Sequence, residues 1–184
     1  MNRHRLRGLL LALISSLALA LAGAGSASAA VTSGTTAEAE RLVEAIRKHR
    51  AATWHWQRVM GKPRWTATYA ERRTSDLGRL TAIRDRWTRR ATRLRRRAQR
   101  PPHRSAWLCI HRHEGRWKDP HAPYYGGLQM SRQFQRAFGR YLLHLKGTAN
   151  TWTPAEQMWT AERAHRAGLG FHPWPNTARA CGLL

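Results

Sequence analysis

Between Ser75 and Arg97 the apolar residues Leu77, Leu80, Ile83, Trp87, Ala91 and Leu94 recur at steps of three and four, and Arg is the commonest residue on the other faces. That spacing is a helical stripe close to heptad periodicity. A strand would alternate with period two, so this stretch is committed to a helix with one buried face. One stripe cannot bury itself. The nearest partner is Ala37 to about Arg50, where Leu42, Val43 and Ile46 make a narrow apolar face and Thr36 can act as N-cap. The two are expected to pair as an antiparallel hairpin. Gly61-Lys62-Pro63 breaks the chain between them, and Pro101-Pro102 closes the second helix. The aromatic cluster Trp54-His55-Trp56 falls before the break, with no assigned structure.

What precedes this pair reads as a targeting segment, residues 1–29. Arg3, Arg5 and Arg7 form a positive lead, Leu9 to Ala22 is rich in Leu and Ala, and Ala27-Ser28-Ala29 offers a small-residue cleavage site. A membrane span needs about 20 apolar residues, more than this run supplies. The expected location is therefore secreted, extracellular or wall-associated, with membrane contact only through the signal segment. The formal net charge is +23. An exported chain this basic is expected to meet a polyanion, because its charge steers association. Wall polymers fit that role better than nucleic acid for an exported chain.

Composition shifts near residue 104, which divides the remainder into a basic helical segment, 31–103, and a second domain, 104–184. The second holds most of the Gly and Pro. It also holds the chain's two cysteines, Cys109 and Cys181. In an oxidising compartment they read as one disulfide. It closes a loop of about 70 residues, worth roughly 4 kcal/mol in the chain-entropy view.

Within that domain Trp107 to Glu114 is expected to be helical, and Trp107, Ile110 and Glu114 share one face. Asp119 to Tyr125 is turn-rich. Arg132 to Leu145 is helical with an interruption near Gly139. Thr153-Pro154-Ala155-Glu156 is a helix start, with Thr as N-cap, Pro at N1 and Glu at N3. That helix runs to about Ala167 and stops at Gly168 and Gly170. Phe171 to Thr177 reads as a rigid aromatic loop. Glu114 is open to two readings. An acid at the inner edge of an apolar face suits general acid catalysis of glycoside cleavage. It could equally end a helix and pair with Arg112 or Arg116. His111, His113 and His121 lack the spacing of a zinc site, so no metal or other cofactor is expected.

Four motifs weigh on that choice: the helix with Trp107 seven residues before Glu114; Tyr124-Tyr125-Gly126-Gly127-Leu128-Gln129; Glu156-Gln157 followed by Ala161-Glu162; and Trp174-Pro175 ahead of a late Cys. In order and spacing they resemble the resuscitation-promoting-factor and transglycosylase-like domains of the lysozyme-like superfamily, over about residues 105–184. The resemblance implies a mainly α, lysozyme-like α+β fold with minimal β structure, preceded here by the helical hairpin. It implies Glu114 as the catalytic acid, with Gln129 and Gln157 in or beside the cleft. Tyr124, Tyr125 and Trp174 are candidate sugar-stacking residues, as are Trp152 and Trp159. Gly126 and Gly127 would let backbone approach a sugar. The chain departs from the family where His113, rather than Cys, precedes the acid, and where Phe134-Gln135 replaces Thr-Trp.

The expected activity is cleavage of peptidoglycan glycan strands by a single Glu, as a lytic transglycosylase or a muramidase. The alternative is a catalytically silent protein that only binds wall. Expected partners are peptidoglycan and anionic wall polymers, with other wall hydrolases as further candidates. No nucleic acid is expected, since the Arg run from Arg89 to Arg100 reads as a solvated face or wall anchor.

Overall fold

The computed structural model of the chain describes residues 23–184. The expected signal segment up to residue 22 lies outside them, and residues 23–29 already belong to the first helix. In chain order the elements are α1 (Gly23–Val59), α2 (Tyr69–Arg73), α3 (Leu77–Ala98), α4 (Arg104–Glu114), strands β1 (Tyr124–Tyr125) and β2 (Met130–Ser131), α5 (Arg132–Phe138), α6 (Arg140–Lys146), a 3-10 turn (Ala149–Thr151), α7 (Pro154–Ala164) and α8 (Pro175–Ala180). The class is mainly α, with β1 and β2 paired antiparallel so that Tyr124 faces Ser131 and Tyr125 faces Met130. Contacts divide the chain into two units, 1–38 and 39–184. No helix among the described residues is long and apolar enough to cross a membrane.

Helix α1 starts well before the expected cap at Thr36 and runs on through Trp54 and Trp56. Its early part, Gly23 to Ala30, is rich in Ala, the best helix former. The stripe of α3 is largely as expected: Leu80, Ile83, Trp87, Ala91 and Leu94 are buried, Leu77 at the start is only partly buried, and Ala98 extends the buried face. Asp76 caps the helix, accepting from the Arg79 N–H at 2.7 Å. Arg95, Arg96 and Arg97 sit in its last turn, where positive charge complements the helix dipole.

The expected antiparallel hairpin is not what forms. Leu42 and Ile46, early in α1, share a cluster with Leu80, Ile83 and Trp87, early in α3. The Trp54 ring meets Trp87 at 6.3 Å. Val59 and Met60 share a core with Leu94 and Ala98. Partners thus advance together along both helices, and the two run in the same direction. The reason lies in the connection. The Trp54 indole donates to the Trp65 carbonyl at 2.6 Å, and the Gln57 side chain donates to Pro63 and accepts from the Trp65 N–H. These bonds fold residues 61–67 back along α1. The chain returns to the start of α1's packed face before α3 begins. Gly61-Lys62-Pro63 is a reversal, but into a crossover rather than a hairpin.

The ends of α1 and α3 pack into the same core as the rest. Val59, Met60, Leu94 and Ala98 join Trp107, Ile110, Leu128, Met130, Leu142 and Trp174 in one cluster. The Trp159 indole donates to the Ala98 carbonyl at 2.8 Å. Each large side chain withdrawn from water here contributes about 1.5–3 kcal/mol. Residue 104 therefore marks a change of composition, while the packing is continuous across it.

Local signals place the C-terminal elements. Thr153 and Glu156 form a full capping box on α7 with Pro154 in its first turn. Ser131 caps α5 through the Phe134 N–H. Gly139 separates α5 from α6, and a Cβ there would lie 2.5 Å from the Trp152 ring. Helix α7 loosens into a π turn at His165–Leu169, with Gly168 at φ 93°. The expected aromatic loop 171–177 is partly helical, because Pro175 opens α8. Cys109 and Cys181 form the disulfide expected from the sequence, with Cα atoms 6.0 Å apart, tying α4 to the end of α8.

Candidate active site

Helix α4 is anchored at its start and presents Glu114 at its end. At the start, Trp107 is fully buried and its indole donates to Glu162 at 2.7 Å. Glu162 is itself fully buried and also accepts from the His103 backbone N–H and ring Nδ1. A carboxylate out of water needs such donors. Ile110 is fully buried one turn further on. Glu114, the next residue on that face, is half-buried. The predicted face is thus the observed one.

The Glu114 carboxylate has a neutral partner. The Thr177 hydroxyl, on α8, donates to its Oε1 at 2.8 Å. Neither Arg112 nor Arg116 pairs with it among the described residues, and its Oε2 has no protein partner among them. The disulfide holds α8 against α4, and so holds Thr177 at this acid.

A loop faces the peptide that follows Glu114. Gly115 has φ 152°, and a Cβ on it would lie 3.3 Å from the Gln129 amide nitrogen and 3.5 Å from Asp119 Oδ2. Gln129 donates to Asp119 Oδ2 at 2.9 Å and to the Gly126 carbonyl at 3.0 Å. Gln129 is also the non-glycine residue with positive φ among those described, at 46°. That conformation costs of order 1 kcal/mol and is held by its side-chain bonds. Hydrogen bonds from the His121 backbone and ring, with a further one from Gln129, hold the Asp119 carboxyl below the usual carboxylate range. It is therefore ionised at neutral pH. Asp119 also shapes the turn, accepting from Gly126 N through its own carbonyl.

The two glycines of the loop are needed for packing. Gly126 has φ 76°, and a Cβ there would sit 2.6 Å from Gln157 Oε1. A Cβ on Gly127 would sit 2.6 Å from the His111 ring and 2.8 Å from Trp117. His111 stacks on Trp117 with ring centres 3.9 Å apart and donates from Nδ1 to the Gly127 carbonyl. Both glycines are buried, so their backbone faces protein.

The remaining candidates divide sharply. Tyr124 is half exposed and Tyr125 is partly buried against the core. Gln157 is fully buried and donates to the carbonyls of Trp117, Ala149 and Trp152. Its Oε1 has no hydrogen-bond partner among the described residues. It braces the loop from behind and offers no donor to a ligand. Trp174 is buried, donates to the Leu128 carbonyl at 2.6 Å and packs against Trp107 and Phe134. Trp152 and Trp159 are buried as well. The structure makes these three tryptophans core residues, with no free face for a sugar. Gln135 is fully buried and bonds to Met130 and Ala149 backbone.

His113 and the sulfurs of Cys109 and Cys181 lie within 4.8 Å of one another. The sulfurs are bonded to each other, so they offer no thiolate to a metal. Three described pockets, on α3, between α2 and α3, and beside Tyr141, do not have Glu114 in their walls.

Thr177 is not among the residues expected at the site, and Asp119 is expected only in a turn-rich stretch. Thr177 lies 63 residues from Glu114, and no local signal joins them. For Asp119 the signal was its placement before a Gly-Gly turn ending in Gln. Compared with known proteins, the chain matches no family model, no curated protein and no solved structure.

Proposed function

We propose that the protein is an exported enzyme that cleaves peptidoglycan glycan strands, with Glu114 as its single general acid/base. The observation that carries this reading is the setting of Glu114. It is a half-buried carboxylate held by one hydroxyl, with no cation on it among the described residues, followed by a peptide that faces a strained loop presenting an amide and a second carboxylate. A helix-terminal Glu kept for stability would be expected on an Arg, and two stand within reach in sequence. The motif resemblance to transglycosylase-like domains of the lysozyme-like superfamily supports the same assignment.

In this reading Glu114 protonates the bridging oxygen of the glycan. Thr177 fixes its rotamer. Ionised Asp119, oriented by Gln129, supplies a fixed negative charge for the cationic sugar, alongside the substrate's own N-acetyl group. Ionised Glu114 then takes a proton, either from the sugar's C6 hydroxyl or from water. The first gives a 1,6-anhydro product and the second a reducing end. Tyr124 is the accessible aromatic for stacking. The second reading is a fold that binds wall without cutting it; the burial of Trp152, Trp159 and Trp174 takes three candidate sugar platforms away from both readings. Mass spectrometry of soluble products from purified peptidoglycan separates the two. Anhydro or reducing-end muropeptides support the enzyme, and retention on the wall with no soluble product supports the binding protein.

A further inference from the structure

A pocket of about 370 Å³ opens between the C-terminal end of α1 and the α5–α6 junction, lined by Arg58, Ala137, Phe138, Arg140, Tyr141 and Arg163. Three of these lining residues are arginines and none carries a carboxylate. We propose that this pocket is a binding site for a phosphoryl anion.

The first support is the absence of counter-charge on these arginines among the described residues. Arg163 is half-buried and donates to the Phe138 carbonyl at 3.1 Å. Arg58 lies over the Tyr141 ring at 4.9 Å. Arg140 is exposed, with no hydrogen-bond or ion-pair partner among those residues. The nearby Arg166 adds to the charge, bonding only to the backbone carbonyls of Glu162 and Met60. Burial, and then the neighbouring Arg166 charge, pull the Arg163 guanidinium below its usual range. A guanidinium is protonated at neutral pH, so the positive charge persists.

The second support is that the adjacent acid is already matched. Glu156, whose charge reaches Tyr141, takes the Lys146 ammonium at 2.7 Å and the His55 ring at 2.9 Å. It is fully buried and unavailable to the arginines. Burial pushes the Tyr141 phenol up, so it adds no negative charge. A concave site whose three arginines have no carboxylate partner among the described residues favours a doubly or singly charged oxyanion, and Arg forks match phosphoryl oxygens. Arg89, Arg93 and Arg96 line a second concavity of about 340 Å³, but all its walls come from α3, whereas the proposed site draws on α1, α5, α6 and α7 and holds the half-buried Arg163.

This assignment is independent of the glycosidase reading, because binding is read without turnover. The test is calorimetric titration of the full chain with inorganic phosphate and with dimethyl phosphate, at low and at physiological salt, with acetate as the charge control. Saturable phosphoryl binding is expected, weakened about ten-fold or more in Arg163→Gln and in Arg140→Gln. An Arg89→Gln/Arg93→Gln variant should stay within about two-fold of the parent. Arg140 has no described partner to lose, so its variant reports on the site even where Arg163→Gln disturbs the fold. Binding of dimethyl phosphate as well as inorganic phosphate points to a phosphodiester polymer as ligand; inorganic phosphate alone points to a monoester or free ion. Non-saturable binding, equal loss in the α3 variant, or acetate binding as tightly as phosphate overturns the proposal.

Discussion

Replacing Glu156 by Gln removes one buried charge and keeps the geometry around it. Glu156 is 1% exposed and accepts from Lys146 at 2.7 Å and 2.9 Å, from His55 at 2.9 Å, and from the Thr153 N–H at 2.7 Å. Burial alone would raise its pKa. The hydrogen bonds from His55, Lys146 and Thr153 outweigh burial and bring it from an ordinary 4.5 down to about 2. A folded pKa below the unfolded one stabilises the protein above the unfolded value. The contribution disappears as pH falls from 4.5 towards 2. At about 1.4 kcal/mol per pH unit the whole gap is worth about 3 kcal/mol. Gln still accepts from the Thr153 N–H, since either residue serves at N3 of a capping box. The variant therefore isolates the charge. Urea unfolding followed by Trp fluorescence should show Glu156→Gln less stable by about 3 kcal/mol near neutral pH. The difference from the parent should shrink towards zero near the folded pKa. A difference that stays constant across that range would refute the reasoning, because the loss would then come from packing and not from ionisation.

Other consequences follow from single contacts. Reducing or deleting the Cys109–Cys181 bridge, which spans 72 residues, should cost about 4 kcal/mol of stability and is read from unfolding midpoints with and without a reductant. Glu162→Ala strips the buried Trp107 indole of its acceptor and should destabilise by about 1–3 kcal/mol, whereas a mutation without effect would show that His103 and Trp107 find other partners. Gly127→Ala forces a Cβ against His111 and Trp117 and should cost about 1–3 kcal/mol, more than Gly147→Ala, where φ is 80° but nothing lies within 4 Å. Thr177→Val removes the hydroxyl on Glu114 and should lower kcat about ten-fold with KM within about two-fold; an unchanged kcat would remove Thr177 from the site.

Much of the local structure could be read from the residues, and much of the tertiary arrangement could not. The stripe of α3, the capping box at Thr153 and the interruption at Gly139 each depend on neighbours within a turn or two, and each appears where expected. The shared face of Trp107, Ile110 and Glu114 needed only helical geometry. The direction of α3 relative to α1 did not follow from their matching stripes. It is set by how Trp54 and Gln57 hold the connecting segment. The tryptophans were ambiguous for another reason. An indole suits a sugar face and a core equally well, and the backbone carbonyls that their N–H groups reach decide between them. Trp174 finds Leu128, Trp152 finds Gly147 and Trp159 finds Ala98. Gln157, taken as a cleft residue, is instead a buried brace whose acceptors lie on three separate segments. Thr177 comes to Glu114 from the far end of the domain, held there by the disulfide, a long-range constraint that carries no signature at the residue it positions. Asp119 lies against Gly115 through the local Gly-Gly turn, which the sequence does show.

The most direct test of the Glu114 assignment is release of soluble muropeptides from purified peptidoglycan by the parent protein and by Glu114→Gln, with wall binding and thermal unfolding measured on both. The expected result is release by the parent, a loss of at least about a hundred-fold in the variant, in line with removal of a general acid, and unchanged binding and stability. Equal release by both proteins, or none from a parent that still binds wall, would contradict it.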